Sequence, residues 1–571
     1  MNQNTTTMKK LTLLFALMAL LLTAQAQHKA VRAYLDENGT VMTETVDASL
    51  SPDTRDGLLP MPGFPLSFGS NTTYKPMRGL SLADLNNDGA DEIILNHNDQ
   101  INVIDGQGNI VWSHALAGGM AQYPASVADL DGDGYLEIVS LTAYGNARGG
   151  LNVFSHDGNS LLEVVTQNNP LICAPTLADI DDDGTLEIVF AGRGKASANI
   201  APGLHVWNLQ GEELPGFPFE MPSTPAFTPT VADIDGDGSL EIFISTTSIL
   251  YCVSHTGEEI YHVDAQDAYK YSYQSPLVVD FEGEGRWSLV GACHGDNPHH
   301  YVRDAQTGEY REGWPKPVQN WTYSAPTVVK NEDDHAIFLG VSGEGDVFYQ
   351  YDADGNVASG FPLNLTSGIE GFVSIADVDG DGANEIITTF NWMDDGMGFI
   401  RAWEMDGTEV TEGFPLRPNG LSFMNGANLG DIDGDGMLEI VTLTYEQNFS
   451  PDDPVYVTAY ALNQPVEHLV YGTYKGSNDR VGWVREETSP DLVVHEQLVS
   501  YDVFPNPAKD EIQVQGEDLE RVEVLDVLGR TVMTVNGDVE KISLKNLQNG
   551  IYFVRLHGNN GVQNKKILIT R

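Results

Sequence analysis

The chain has 571 residues, too many for a single hydrophobic core, and carries 82 acidic against 30 basic side chains. Its formal net charge of −52 excludes nucleic acid and anionic membrane surfaces as partners. Glycine at 58 positions exceeds the usual share of about 7% and suits a turn-rich β protein.

Residues 1–26 read as a secretory signal peptide: Lys9 and Lys10 precede the apolar run Leu11 to Leu22, and Ala24-Gln25-Ala26 offers a small-residue cleavage site. That run is too short to span a bilayer and no later stretch is longer, so no transmembrane segment is expected. Residues 27–56 carry no clear period and read as an N-terminal extension. The odd set Cys173, Cys252 and Cys293 excludes a full disulfide framework and predicts buried thiols.

From residue 57 to 485 a unit of roughly 50 residues repeats. Its marker is an acidic loop with Asp at position 1, Asp or Asn at 3, Asp at 5, Gly at 6 and Glu at 9. The six copies are Asp84, Asn86, Asp88, Ala90 and Glu92; Asp129, Asp131, Asp133, Tyr135 and Glu137; Asp179, Asp181, Asp183, Thr185 and Glu187; Asp233, Asp235, Asp237, Ser239 and Glu241; Asp377, Asp379, Asp381, Ala383 and Glu385; and Asp431, Asp433, Asp435, Met437 and Glu439. In each set the fourth residue supplies a peptide carbonyl, so that a ring of hard oxygens forms, which suits Ca²⁺. About six ions per chain are expected. An EF-hand needs Glu at position 12, where these loops have Leu95, Ser140, Phe190, Ile244, Thr388 or Thr442. Strand-like flanks, such as Thr-Val-Ala before Asp233 and Ile-Phe-Ile after Glu241, place each loop between two strands.

Two units are degraded. One keeps Asp280, Glu282 and Glu284 but has Ser288 at position 9; the other has Lys330 where a loop would begin. Lys330 is expected to pair with Glu332 or Asp334 in place of a metal. Later in each unit an Asp-Gly turn, as at Asp157-Gly158, signals a hairpin, and a last strand ends in Gly-Phe-Pro or Gly-Trp-Pro. Four short strands per unit predict an all-β chain folded as a β-propeller, eight blades favoured over seven. The orphan strand around Leu59 to Phe68 is expected to join the last blade.

Val-Ala-Asp-Ile-Asp-Gly-Asp-Gly-Ser-Leu-Glu-Ile, residues 231–242, resembles the FG-GAP (VCBS) repeats of integrin α-subunit propellers and of bacterial surface proteins. The resemblance implies calcium in the six intact loops. Similar calcium propellers occur among rhamnogalacturonan lyases, which supplies an enzymatic alternative, a polysaccharide lyase acting on rhamnogalacturonan-type pectin.

Residues 486–499 read as a linker, and residues 500–571 change grammar. Pro505-Asn506-Pro507, Gly529-Arg530, Gly550-Ile551-Tyr552 and the run Lys565-Lys566 resemble the type IX secretion (Por) C-terminal sorting domain of Bacteroidetes, a small β-sandwich. That resemblance implies export by the type IX machinery to the cell surface.

No nucleophile elbow, zincin motif or P-loop is present, and no catalytic residue is assigned. The reading that follows is a monomeric, non-enzymatic binding protein for a glycan or a protein. Variable loops on a rigid scaffold carry binding, and aromatic side chains that do not recur from unit to unit, Tyr269, Tyr271, Trp321 and Trp392, are the candidate ligand contacts. Tyr273 and Tyr323 have counterparts in Tyr123 and Phe227 and read as packing. His294, His299 and His300 form the one histidine-rich cluster, read as a polar loop.

Overall fold

The computed structural model describes residues 28–35, 41–48, 57–70, 75–225, 227–265, 270–271, 274–331, 334–446 and 450–484, and most of 502–570. The signal peptide and the linker lie outside these. The chain divides into two compact units, Met1–Pro490 and Asp491–Arg571.

Among the described residues the first unit holds eight successive antiparallel sheets, the fifth extended by the parallel strand Trp483–Val484, and a smaller sheet formed with the N-terminal hairpin. The fourth is representative: Thr230–Ala232, Glu241–Ser245, Ile249–Val253 and Glu259–Asp264, paired in chain order. The acidic loop joins its first two strands. The inner strands are apolar on both faces, as Ile242, Phe243 and Ile244 show, whereas the outermost strand alternates between exposed and half-buried. Such burial follows from stacking sheet against sheet. Leu66–Phe68 supplies the fourth strand of the eighth sheet, with Leu66 opposite Val457. Asp91 N–H donates to the Asp431 carbonyl at 2.7 Å, so the first and eighth sheets touch.

The expected closed β-propeller is corrected by this topology. Among the described residues no sheet closes into a barrel or curls on itself; the sheets are separate and of unequal width, from three to six strands. The reason lies in the connections. The fourth strand of a unit leads to a first strand with which it forms no ladder, so strand pairing stops at each sheet edge and neighbouring sheets meet through packing and isolated hydrogen bonds such as that from Asp91 to Asp431.

Two segments depart from the repeat. Residues 472–482 run across the first strands of several sheets. Carbonyls of Gly472, Asn478, Asp479, Val481 and Gly482 accept from Leu429, Val127, Leu177, Val231 and Val278 at 2.8–3.0 Å. These N–H groups face away from their own ladders and need an acceptor when buried. Arg480, fully buried, anchors the crossing: Nη1 donates to the Thr473 hydroxyl and the Tyr474 and Ser477 carbonyls, and Nη2 to the Ser81 hydroxyl.

The other segment is the N-terminal extension, which forms a hairpin of His28–Leu35 and Val41–Ala48. Its first strand pairs with Trp392–Met393, Arg32 opposite Trp392. Asn391 Nδ2 donates to the Ala33 carbonyl and Ala33 N–H to the Asn391 carbonyl, both at 2.9 Å.

The second unit holds a sheet of Asp502–Phe504, Glu511–Gln515 and Lys541–Ser543, and a sheet of Leu519–Leu525, Thr531–Asn536, Gly550–Gly558 and Gly561–Ile569. Alternate residues such as Ile512, Val522, Val524, Val554 and Leu556 enclose one apolar core.

Candidate metal loops and the ligand-facing surface

Each intact loop is tied by its own acids. The position-1 aspartate accepts from the position-6 glycine N–H in all six loops, at 2.8–3.0 Å. That glycine lies at φ +84 to +91°, where a side chain would be strained. The position-9 glutamate lies at or near the start of the second strand and reaches back to accept the position-2 N–H at 2.8–3.1 Å. The position-5 aspartate accepts the position-7 N–H at 2.7–3.0 Å.

Carboxylates 1, 3 and 9 converge, with ligand atoms within 4.8 Å of one another, at Asp129/Asp131/Glu137, Asp179/Asp181/Glu187, Asp233/Asp235/Glu241, Asp377/Asp379/Glu385 and Asp431/Asp433/Glu439. These clusters are capable of coordinating a metal ion. The position-5 aspartates and the residues at position 7 are outside the convergent set. In the first loop Asn86 takes the third place, and its amide nitrogen donates to Glu92 Oε1 at 2.7 Å.

The donor set fits a cation. Burial pushes Glu92, Glu137, Glu187 and Glu241 up to about 7, and Glu385 and Glu439 up to about 8; the neighbouring aspartates raise them further, against the opposing backbone N–H. A positive charge would restore full ionisation. Glu385 Oε1 is buried and meets no hydrogen-bond donor among the described residues.

The fifth sheet shows what fills the same place when the glutamate is lost. Asp280 still accepts from Gly283 and Gly285. Position 9 is Ser288, and the Arg311 guanidinium bridges Glu282 and the Ser288 hydroxyl. An internal cation thus joins positions 3 and 9. Sequence reasoning missed Arg311, and the only signal for it was the missing acid. In the sixth sheet Lys330 lies opposite His335 in a tight hairpin and is exposed; Glu332 and the Asp334 side chain lie outside the described residues.

The candidate ligand aromatics are not brought to one surface. Tyr269 lies outside the described residues. Tyr271 is fully buried, opposite Cys293, and its hydroxyl donates to the Val263 carbonyl at 3.1 Å. Trp392 is 3% exposed, stacked on Phe399 at 4.6 Å and paired with the N-terminal hairpin. Trp321 is half-buried and donates to the Gly295 carbonyl at 3.0 Å. His294, His299 and His300 are buried, and the three cysteines are buried and free.

Comparison with known proteins agrees with the repeat and the tail. The FG-GAP-like repeat family matches residues 84–140 and 179–244, and the secretion system C-terminal sorting domain family matches residues 502–570. The chain therefore carries FG-GAP-like repeats and a C-terminal secretion sorting domain, and it is an exported, cell-surface protein.

Three solved structures show how loosely the shape is shared. The biofilm matrix protein Bap1 of V. cholerae is 15% identical, with 75% of this chain and 95% of that chain covered and a TM-score of 0.36. The quinohemoprotein alcohol dehydrogenase of Comamonas testosteroni is 11% identical, with 70% and 76% covered and a TM-score of 0.46. PorZ, a surface component of the type-IX secretion system of Porphyromonas gingivalis, is 11% identical, with 85% and 69% covered and a TM-score of 0.29. At this level of likeness no activity carries over. No curated protein matches the chain.

Proposed function

We propose that the protein is a calcium-stabilised binding module displayed on the cell surface, which recognises a glycan or a protein. Residues 57–485 form the scaffold, 486–499 a linker, and 500–571 the sorting domain that takes it through the type IX machinery. Calcium, bound by the carboxylates at positions 1, 3, 5 and 9 and the carbonyl at position 7, supplies positive charge and no chemistry. In the first loop Asn86 would present its carbonyl oxygen after a half-turn of its amide.

The observation that carries the calcium assignment is Arg311. In five of the six loops that keep the position-9 glutamate, three carboxylates converge; in the fifth sheet, where it is lost, a guanidinium sits among the remaining groups. Loops that answer a shared charge problem at one strand junction, sheet after sheet, serve the scaffold. Recognition then falls to the variable connections and to crevices between sheets.

Elemental analysis of the purified full chain tests the first half of the proposal: about six calcium ions per chain are expected, one per intact loop. Glycan and protein arrays test the second half. Absence of bound calcium after dialysis against millimolar calcium counts against the first, and absence of any array signal counts against the second.

A further inference from the structure

The expected aromatic surface offers no open site, because Trp392 is under the hairpin and Tyr271 is in the core. A cavity of about 610 Å³ lies elsewhere, between the outermost strand of the fourth sheet and the third strand and following turn of the fifth. Small-molecule sites range over about 300–1,000 Å³.

The repeat breaks its own rules at this cavity. In six sheets the residue before the third-strand turn is apolar or aromatic: Ile104, Phe154, Trp207, Val253, Tyr351 and Trp403. In the fifth sheet it is Arg303, only 3% exposed. The turn is also longer by one residue. Gly308 N–H bonds to the Asp304 carbonyl four residues back, whereas Gly158, Gly211 and Gly257 each bond three residues back. Placing a guanidinium where packing asks for Phe or Trp is costly, and the chain compensates it in detail. Arg303 Nη1 donates to the Gly308 carbonyl at 2.7 Å, and the guanidinium lies 3.7 Å from the Tyr310 ring centre. His299 Nε2 lies 3.0 Å from the Tyr310 hydroxyl.

We infer that this cavity is a saccharide-binding site, and that its ligand is a neutral oligosaccharide. The inference rests on the binding-module reading above and gives that module its site. Arg303, His299 and Tyr310 form a polar floor with a half-exposed ring, and Asp264, Asn297 and Glu309 form an exposed rim. Sugar hydroxyls both donate and accept, so they match a rim of carboxylates and an amide over a floor of N–H and O–H groups. The ring offers a face or edge to sugar C–H groups. Two rim carboxylates on a chain of net charge −52 disfavour an acidic sugar. That argument separates this site from one built for a uronate polymer.

The test is ligand-observed NMR on the full-length secreted chain with calcium present, using neutral gluco-, manno- and xylo-hexaoses and hexagalacturonate as probes. A neutral hexaose should bind and hexagalacturonate should not. The exposed-rim double variant Asp264→Ala, Asn297→Ala should weaken that binding by roughly tenfold or more with an unchanged melting temperature. Thr307→Trp, which narrows the cavity from its exposed edge, should weaken it as well. Undiminished binding by both variants overturns the site while leaving the module reading intact. Preference for hexagalacturonate overturns the neutral assignment. No saccharide binding by the wild type, with a positive protein array, overturns this inference alone; silence on both arrays removes the module reading with it.

Discussion

The loop that follows Ala232 and the loop that follows Val279 occupy the same junction in neighbouring sheets. Their backbones are tied alike: Asp233 accepts from Gly236 and Gly238, and Asp280 from Gly283 and Gly285. They differ in charge. The first gathers Asp233, Asp235 and Glu241 around an acidic centre, whereas the second closes Glu282 and Ser288 around Arg311. The difference teaches that the turn is encoded by glycines and position-1 acids, and that neutralising it is a separate requirement. In the second loop a side chain from the same sheet meets it; in the first, the clustered carboxylates are capable of taking a metal ion.

Chelation should break the comparison most visibly. A site filled at a hundredfold excess over its Kd contributes about 2.7 kcal/mol, and several loops empty together. A fall in melting temperature of roughly 10 °C or more is expected, restored by calcium. An unchanged curve, with metal loss verified by elemental analysis, would sink the calcium assignment.

Glu241→Gln isolates one loop. The amide keeps the bond to Ile234 N–H but removes one charge, so the chain should lose about one calcium and at most about 2.7 kcal/mol. Ser288→Ala in the fifth sheet should leave the calcium count unchanged. Equal calcium loss in both variants would show that the two loops do not differ as described.

Arg311→Ala should destabilise by about 1–2 kcal/mol, since the guanidinium is largely buried but Glu282 is 39% exposed. Adding Ser288→Glu in the same chain should convert the fifth loop to the acidic type, and the calcium count should rise by one. A double variant with no additional ion would mean that position 9 does not decide occupancy.

How far this could be read in advance follows from which contacts are local. The acidic loops are legible because the bonds from their acids to their own backbone lie within nine residues, as from Asp233 to Glu241. The sorting domain is legible because its landmarks are turns and short alternating strands, and the family match covers them. Arg311 was not legible, because its partners Glu282 and Ser288 come from another part of the fifth unit and no local pattern connects them. The crossing at residues 472–482 and the hairpin at 28–48 were missed for a similar reason: both are defined by distant acceptors and donors, Val127 and Asn391 among them. The repeat indicated separate four-strand units but carried no information on closure, which depends on edges that the pattern does not describe.

The smallest effect sharpens the comparison from the side of the fifth sheet, where protein groups replace the acidic centre. His300 is fully buried, with Nδ1 3.1 Å from the Tyr351 hydroxyl and Nε2 3.2 Å from the Thr322 hydroxyl. Burial, and then His299 beside it, pushes it down to about 3. An unfolded histidine titrates near about 6.5. Between those values the unfolded chain takes up a proton that the folded chain refuses. The stability contributed by neutral His300 is therefore complete above about 6.5 and is lost as pH falls toward about 3, by about 1.4 kcal/mol per pH unit. Buried His97 and His294 behave in the same direction, each pushed down to about 4, but they are common to the wild type and a His300→Gln variant and cancel in the difference. At saturating calcium, denaturant unfolding at pH 7.5 and pH 5.5 should show the wild type losing about 1 kcal/mol more than His300→Gln. Equal losses would mean that His300 is protonated in the folded protein at pH 5.5, and that the fifth sheet tolerates a further internal cation beside Arg303 and Arg311.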